Sequence, residues 1–365
     1  MDPLLAPLSE RIRAAAASGT PLRIRGGGSK DFYGEQLQGE VLETAALAGI
    51  SSYEPSELVV TVRAGTPLAQ LESLLAERGQ CLPFEPPHFG GGATVGGMVA
   101  AGLSGPARAS VGAARDYVLG LSMINGRGEQ LTFGGQVMKN VAGYDVSRLM
   151  VGALGTLGLI TEVSLKVLPM PLAEATLKFE LGQAQALQRL NDWGGKPLPL
   201  NASCWVDDAG LPTLYLRLRG AVAAVEAACR TLGGERQDQA ATAADWTLCR
   251  DQRLPWFRQR ASRGLWRLSV PQTAAVMDLP EPPLVEWHGG LRWVRAEARD
   301  GPRLREAAAR AGGHATLFAA DADGATAATQ RFAPLPAPLE RIHRELKREF
   351  DPAHIFNRGR MYADL

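Results

Sequence analysis

Residues 88–130 read HFGGGATVGGMVAAGLSGPARASVGAARDYVLGLSMINGRGEQ, and residues 139–167 read KNVAGYDVSRLMVGALGTLGLITEVSLKV. Residues 88–158 hold 17 glycines in 71 positions, where the chain average of 41 in 365 predicts about 8. A folded chain uses glycine where the backbone turns sharply or comes very near another group. Tight turns between short strands would explain any single glycine. The whole cluster favours a backbone that lies against a large, flat cofactor with a pyrophosphate.

The composition is that of an ordinary soluble globular protein. The 365 residues are 45% hydrophobic and 21% charged, with a formal net charge of +1, so neither nucleic acid nor an anionic membrane is expected as the main partner. The four cysteines stand far apart without a C-x-x-C pair, which argues against a disulfide framework and an iron–sulfur site. Neither a secretory signal nor a run of ~18 apolar residues is present, and a cytoplasmic location is expected.

A second glycine cluster follows a short predicted strand near the N-terminus. Leu22–Arg25 alternates apolar and basic residues and runs into GGGSK at residues 26–30. In such a loop successive N–H groups can converge on an anion, and glycine allows the anion to come close. The chain contains neither G-x-G-x-x-G nor G-x-x-x-x-G-K-[ST], which argues against a Rossmann or a P-loop site.

Hydrophobic periodicity and turn residues predict the regular elements of the first half of the chain. They are a helix over residues 3–18, a strand over 58–62, a helix from Leu68 to about Arg78, a strand over 119–124 with a tight turn at 125–128, and a strand over 160–167. Thr66 is expected to cap the second of these helices.

Pro169 and Pro171 mark a change in composition. Beyond them glycine thins and all seven tryptophans occur, while strands alternate with alanine-rich helices, as in the strand at 214–218 and the helix at 221–232. This pattern predicts a strand–helix sandwich of the α+β kind. The tryptophans would line a partner surface or pack in the core. Prolines 334, 336 and 338 then lead to a basic helix at 339–350.

Several motifs resemble the FAD-binding superfamily of para-cresol methylhydroxylase and vanillyl-alcohol oxidase. The matching pieces are RGGGS (25–29), VVTVRAGTPLAQLESLLAERGQCLPFEPP (59–87), ATVGGMVAAGLSG (93–105), RDYVLG (115–120) and KNVAGYDVSRLMVGALGTLGLITE (139–162). The ending FDPAHIFNRGR resembles that of the D-lactate and glycolate dehydrogenase branch. Within the branch, the chain is most similar to the family of smaller FAD-binding subunits of bacterial glycolate oxidase.

The resemblance implies an α+β fold in three parts. A two-subdomain FAD-binding domain of the vanillyl-alcohol oxidase type would span residues 1–170, and a second α+β cap domain of the substrate type would span 171–333. The C-terminal segment 334–365 would return to the FAD-binding domain. By position in the family motifs, the implied FAD-binding residues are Arg25, Gly26, Gly27, Gly28, Ser29, Pro87, Thr94, Gly96, Gly97, Gly102, Gly105, Asp116, Val118, Gly155, Thr156 and Ile160.

Two departures from the family pattern bear on the chemistry. Several members attach FAD covalently through a His at the place of Gly28, so noncovalent FAD is expected here. The 2-hydroxyacid dehydrogenases of the branch carry H-x-G-D-G-N-x-H, whereas residues 285–293 read VEWHGGLRW. The five histidines are scattered, and no metal site is expected. The candidates for a base and a carboxylate-binding cation are His288 and Arg292, with Arg295 and Arg331 as further arginines.

Three functions are compatible with these features. The first is an FAD-binding subunit of a glycolate oxidase (glycolate dehydrogenase) complex, in which a larger flavoprotein subunit and an iron–sulfur subunit carry the electrons and any membrane association is made through these partners. The second is a self-sufficient FAD-dependent D-2-hydroxyacid dehydrogenase, against which the missing histidine motif argues. The third is a non-catalytic flavin-fold scaffold, against which the costly glycines argue. The first is the prediction.

Overall fold

The computed structural model describes residues 3–135, 145–208, 210–258, 263–321 and 329–365. The α-helices are α1 (Leu5–Ser18), α2 (Leu68–Glu77), α3 (Val95–Ala101), α4 (Arg108–Val111), α5 (Val146–Leu149), α6 (Gln183–Gly194), α7 (Val222–Leu232), α8 (Gln239–Arg250), α9 (Pro255–Arg258), α10 (Gly301–Arg310) and α11 (Ala337–Phe350). Short 3-10 helices lie at Pro55–Glu57, Ala114–Asp116, Trp287–Gly289 and Ala298–Asp300.

The described residues also contain seventeen strands, the last of which ends at Ala319. They are β1 (Leu22–Arg25), β2 (Glu40–Glu43), β3 (Ile50–Glu54), β4 (Val59–Arg63), β5 (Gln80–Cys81), β6 (Val118–Ile124), β7 (Gln130–Gly134), β8 (Leu159–Lys166), β9 (Leu168–Pro169), β10 (Ala173–Glu180), β11 (Leu200–Asp208), β12 (Leu211–Gly220), β13 (Glu235–Arg236), β14 (Gly264–Ser269), β15 (Leu284–Glu286), β16 (Leu291–Ala296) and β17 (His314–Ala319).

The chain folds into two units, each made of segments that are not contiguous in sequence. The first unit contains residues Met1–Leu103, Ala113–Met170 and Pro334–Leu365, and the second contains Ser104–Gly112 and Pro171–Ala333. The boundary after Met170 coincides with the prolines seen in the sequence. The nine residues Ser104–Gly112 belong to the second unit, whereas the sequence-based boundaries placed them within 1–170.

The first unit contains a five-stranded antiparallel sheet in the order β3-β4-β8-β6-β7. Its central strand β8 is buried along most of its length because α2 and α3 pack against the sheet through Leu68, Leu71, Leu75 and Val99. A separate parallel pair, β1 with β2, precedes this sheet in the sequence. The hairpin of β6 and β7 turns at Asn125, whose side chain accepts from the N–H groups of Arg127 and Glu129.

The C-terminal segment of the first unit packs against its N-terminal strand. Ile355 and Phe356 are fully buried in a small core with Ile12, Leu22 and Leu42. The backbone of Leu22 donates to Ile355 O at 2.7 Å and accepts from Asn357 N at 2.9 Å, so the last residues extend the β1-β2 pair. The two ends of the chain therefore form one layer, which local sequence patterns could not reveal.

The second unit contains an eight-stranded antiparallel sheet in the order β13-β10-β12-β11-β15-β16-β14-β17. Helices α6 and α7 cover one half of this sheet and α10 covers the other, which gives two cores. Six of the seven tryptophans are buried, and Trp256 is half-buried. The tryptophans are therefore mainly core residues, and the alternative of a tryptophan-lined partner surface is not supported.

The predicted α+β class is confirmed, and most predicted elements are found within two or three residues of their expected ends. The expected cap at Thr66 is wrong. Pro67 occupies the N-cap position of α2, and the Thr66 hydroxyl instead donates to Gly49 O and accepts from Gly49 N. Because the hydroxyl is hydrogen-bonded to a distant backbone group, it does not cap the N-terminus of α2. None of the described helices is both long and apolar enough to cross a membrane.

Candidate functional site

The first glycine loop of the first unit presents unpaired backbone N–H groups. Strand β1 ends at Arg25, and Gly28 adopts a left-handed conformation with φ 72°. Within the described part of the chain, the N–H groups of Gly27, Gly28 and Ser29 donate to no other group. Three adjacent N–H groups around a left-handed glycine form the kind of concave site that binds an anion.

Cations accompany these N–H groups. The Arg25 guanidinium folds over Gly28, where an added Cβ would lie 2.4 Å from Nη2. Arg25 Nε is 3.2 Å from Asp31 Oδ2, and Arg23 Nη2 is 2.5 Å from the same oxygen. Lys30 Nζ lies 5.6 Å from the centre of the Phe89 ring. The loop thus has a positive border whose charge is moderated by Asp31 and by Glu43, which lies 3.7 Å from Arg25 Nη1.

The second glycine run contacts the first one directly. Thr94 caps α3, with its hydroxyl accepting from Gly97 N at 3.2 Å. A Cβ at Gly26 would lie 2.4 Å from Thr94 Oγ1, and a Cβ at Gly27 would lie 1.4 Å from Gly92 O. A side chain at either position of the first loop would push the two loops apart, so both positions require glycine.

The third run, residues 152–160, joins the same cluster. Gly152 N donates to Val99 O at 3.0 Å, and Leu154 N donates to Ala100 O at 2.9 Å. Gly155 has φ 72°, and a Cβ there would lie 3.7 Å from Ile24 Cβ at the end of β1. The fold therefore brings together three runs that are separated by roughly 60 residues each in the sequence.

Close packing of one run on another explains several of the glycines. A Cβ at Gly96 would lie 2.7 Å from Ala64 Cβ, and a Cβ at Gly102 would lie 2.8 Å from Gly152 Cα. The glycine density of the sequence predicts chiefly a nearby cofactor. The structure gives these two glycines a packing role, because Gly96 lets α3 approach Ala64 just after β4 and Gly102 lets the residue after α3 approach the backbone of Gly152.

The remaining residues expected at the FAD are either buried or hydrogen-bonded to residues close to them in sequence. Pro87 is buried at the start of the second run, and Val118 and Ile160 are buried in β6 and β8. Asp116 is exposed and accepts from Ala113 N at 2.8 Å. The Thr156 hydroxyl donates to Ala153 O at 2.7 Å. Residues 139–144 of the matching motif lie outside the described residues.

Gly105 belongs to the second unit, where it contacts the region of the candidate base. Its carbonyl accepts from Trp287 Nε1 at 3.0 Å. The Arg108 guanidinium lies 4.4 Å from the centre of the Trp287 ring, and that of Arg267 lies 5.0 Å from it. The indole thus anchors the inserted segment Ser104–Gly112 to the sheet of the second unit.

His288 is buried, with both ring nitrogens in hydrogen bonds. Nε2 lies 2.9 Å from Ser110 Oγ and Nδ1 lies 3.1 Å from Ser203 Oγ, which also accepts from the backbone N–H of His288 at 3.0 Å. Trp287 and His288 both have φ 54°, an uncommon conformation for residues with side chains. Burial lowers the pKa of the imidazole to about 4, so the ring is neutral at pH 7.

Arg292, the candidate carboxylate-binding cation, is fully buried and bonded to backbone carbonyls. Its three nitrogens donate to Gly289 O at 3.2 Å, Ala275 O at 2.9 Å and Ala274 O at 2.7 Å. Burial lowers its pKa to about 10, which still leaves it charged at pH 7. This geometry is that of a structural clamp, in which the guanidinium holds the loop before β15.

Of the two further arginines, Arg295 also donates to backbone carbonyls. Arg295 donates to Arg263 O at 2.9 Å and to Phe257 O, and the half-buried Arg331 follows the undescribed residues 322–328. In the described ranges, no group of three His, Cys, Asp or Glu side chains is placed to hold a metal ion. All four cysteines are free thiols.

Sequence reasoning did not assign roles to two pairs of buried polar residues near the C-terminus. Lys347 and Asp351 form an ion pair at 2.9 Å, and Asn357 and Arg360 contact the loops described above. The motif FDPAHIFNRGR marked the segment without showing what it contacts. The polar residues Asn357 and Arg360 within this motif were the available sign that the segment makes specific contacts.

Comparison with known proteins agrees with these observations. A family model described as an FAD binding domain matches residues 6–134. The chain is 46% identical to glycolate oxidase subunit GlcE of Escherichia coli (strain K12) over 358 residues, which cover 98% of this chain and 97% of that protein. It is 34% identical to glycolate oxidase subunit GlcD of Bacillus subtilis (strain 168) over 128 residues, or 35% of this chain and 27% of that protein.

A similar fold occurs among solved structures. Alkyldihydroxyacetonephosphate synthase matches with a TM-score of 0.65 at 15% identity, over 96% of this chain and 74% of that one. At this level of identity the similarity concerns the fold alone.

Proposed function

We propose, from the premise that this chain belongs to the family of the glycolate oxidase subunit GlcE, that it is the FAD-binding subunit of a glycolate oxidase complex. In this role it takes part in the oxidation of glycolate to glyoxylate. A larger flavoprotein subunit and an iron–sulfur subunit are its partners, and electrons pass through them. The same proposal places the subunit in the cytoplasm, with any membrane association made through the partners.

The adjacent N–H groups of Gly27, Gly28 and Ser29 support FAD binding most directly. A pyrophosphate is an anion that accepts such hydrogen bonds, and the positive border formed by Arg25 and Lys30 favours it further. Gly155 and Thr156 lie in the run that packs on the same loop and would lie along the dinucleotide. FAD held by these residues would supply a two-electron carrier. The glycine at position 28, which has no side chain to form a bond, supports noncovalent binding.

The environment of the candidate catalytic residues supports a subunit that works with partners. His288 has a lowered pKa and both ring nitrogens engaged, so it is a poor acceptor for the hydroxyl proton of glycolate. Arg292 donates to three carbonyls and is buried, so it does not present its guanidinium to a carboxylate. A self-sufficient dehydrogenase would need both a base for the hydroxyl proton and a cation for the carboxylate. The proposal therefore assigns the chemistry at glycolate to the complex.

The first experiment measures whether the purified chain binds flavin through the predicted loop. The wild-type chain should show the absorbance bands of bound FAD, and denaturation should release the FAD. Gly27→Ala should lose most of the flavin because its Cβ would lie 1.4 Å from Gly92 O. Gly91→Ala is the matched control, since an added Cβ there meets nothing within 4 Å. Equal flavin content in both variants would contradict the proposed position.

The second measurement is an anaerobic titration with glycolate. The flavin of the chain alone should keep its absorbance, whereas the flavin of the complex assembled with both partner subunits should bleach. Bleaching of the chain alone would instead support a self-sufficient dehydrogenase. Absence of flavin from the wild-type chain and from the complex would support the scaffold function.

A further inference from the structure

The C-terminal sequence FNRGR, residues 356–360, lies against the first glycine loop of the first unit. The backbone around it pairs with β1, since Leu22 N donates to Ile355 O at 2.7 Å and Asn357 N donates to Leu22 O at 2.9 Å. This places two buried polar side chains, Asn357 and Arg360, beside the loops that the proposed function assigns to FAD.

Asn357 joins two of these loops through one carboxamide. Its Oδ1 accepts from Ile24 N at 2.8 Å, and its Nδ2 donates to Leu154 O at 2.6 Å. Ile24 is the second-last residue of β1, and Leu154 precedes Gly155. An added Cβ at Gly155 would lie 2.6 Å from Nδ2, so glycine at that position permits the contact. The carboxamide therefore fixes the separation between the start of the first loop and the third run.

Arg360 holds the other side of the first loop. Its guanidinium donates to Asp31 O at 2.9 Å and Lys30 O at 3.4 Å, and also to the carbonyls of Tyr33 and Glu35. In return, Glu35 N donates to Arg360 O at 2.9 Å. The segment that follows the glycine loop is thus folded around one buried guanidinium, and neither residue needs to touch a cofactor to do this.

We propose that Asn357 and Arg360 are positioning residues for FAD, which pre-form the first glycine loop and set its distance from the third run. The inference rests on the proposed function, because it takes these loops as the FAD site. Glycine-rich loops lose much conformational freedom when they become ordered. Contacts that order the loop before FAD arrives reduce this cost of binding, and so they increase affinity for FAD.

Two substitutions test the proposal in the full-length chain after removal of FAD. Arg360→Lys keeps the positive charge and loses the fork that reaches several carbonyls. Its matched control is Arg358→Lys, because Arg358 lies in the same motif and donates to Gly19 O and to Ala353 O and His354 O, away from the loop.

Asn357→Gly removes both side-chain hydrogen bonds and tolerates the φ of 40° found at this position. Its matched control is Asn125→Gly, which removes another buried carboxamide of the first unit, in the turn between β6 and β7. The measurements are the dissociation constant of FAD, followed by quenching of flavin fluorescence, and the unfolding midpoint of the FAD-free chain.

Arg360→Lys and Asn357→Gly should each raise the dissociation constant of FAD by about tenfold or more relative to its control. Affinities are compared at a temperature well below the unfolding midpoint of each FAD-free variant, where every chain is folded, and the visible circular dichroism of the remaining bound flavin should change. Dissociation constants equal to those of the controls would overturn the inference and leave FAD binding intact. A wild-type chain that binds no FAD would instead overturn the proposed function, and this inference with it.

Discussion

His288 combines a left-handed backbone with a buried, neutral imidazole. Its neighbours Ser110 and Ser203 each engage one ring nitrogen, and no acidic residue is among these partners. Strained backbone conformations persist only where surrounding contacts maintain them. The residue that looked most like a remnant base in the sequence is therefore an organising contact of the second unit, which ties Ser110 of the inserted segment to Ser203 of β11.

The free energy of unfolding should depend on pH because of the lowered pKa of His288. Its pKa is lowered to about 4 in the folded chain, below the usual value of 6.5. The unfolded chain therefore takes up the proton first as the pH falls. The stabilisation is complete above pH ~6.5 and is lost toward pH ~4, with a loss of about 2 kcal/mol between pH 7 and pH 5. Urea unfolding followed by tryptophan fluorescence measures it, since all seven tryptophans lie in the second unit.

Two variants identify the group responsible. His288→Gln should remove the part of this slope that His288 contributes, because glutamine does not titrate, while His314 of the same unit, whose pKa burial also lowers, contributes a further part. His343→Gln is the control, since His343 lies in the first unit and should leave the tryptophan-reported slope unchanged. The same pH dependence in wild type and His288→Gln would show that another group titrates.

At the scale of one element, α11 illustrates how the C-terminal motif is held. Lys347 Nζ donates to Thr156 O at 2.7 Å and to Phe356 O at 2.8 Å, and it pairs with Asp351 at 2.9 Å. Asp351 in turn accepts from the N–H groups of Ile355 and Phe356. Burial lowers the pKa of Lys347, and the Asp351 carboxylate opposes this effect. The pair turns the chain at the end of α11 and directs it to β1.

Breaking this pair should be costly. Asp351→Asn leaves the Lys347 ammonium buried without its counter-charge, and the expected loss in the free energy of unfolding is about 3 to 5 kcal/mol. Urea unfolding followed by far-ultraviolet circular dichroism measures it. Glu345→Gln breaks the exposed pair with Arg348 in the same helix, at 2.8 Å, and should cost less than about 1 kcal/mol. Equal losses in the two variants would contradict a buried-pair role for Lys347 and Asp351.

At the scale of the whole molecule, each unit is assembled from segments that are distant in sequence. Residues Ser104–Gly112 belong to the second unit although the segments before and after them belong to the first. The last residues of the chain belong again to the first unit. Each unit has its own cores. We therefore expect the junction after Pro171 to tolerate extra residues and the inserted segment to tolerate none.

Insertions test this organisation. A short Gly-Ser insertion between Pro171 and Leu172, which is 83% exposed, should change the unfolding midpoint by less than about 2 °C, since added length in an open connection costs little. The same insertion after Ala107, which is fully buried, should lower the midpoint of the second unit's unfolding transition, as followed by tryptophan fluorescence. Equal tolerance at both positions would contradict the assignment of Ser104–Gly112 to the second unit.

Features whose cause is local could be predicted from the sequence alone. The alternation in β1, the turn at Asn125 and the glycine runs in family order each depend on neighbouring residues, because backbone preference and periodicity act over a few positions. These features were sufficient for the α+β class and for the FAD-binding family. The resemblance supplied the rest, including the residues expected at the pyrophosphate.

Only the tertiary structure decided how distant residues are used. Asn357 accepts a hydrogen bond from Ile24, 333 positions away in the sequence. The Thr66 hydroxyl bonds to Gly49 instead of capping its own helix, and the Arg292 guanidinium donates to three backbone carbonyls. A buried polar group must find a partner, and which partner it finds depends on the elements that the fold brings next to it. That choice depends on packing over the whole unit, so no short stretch of sequence contains it.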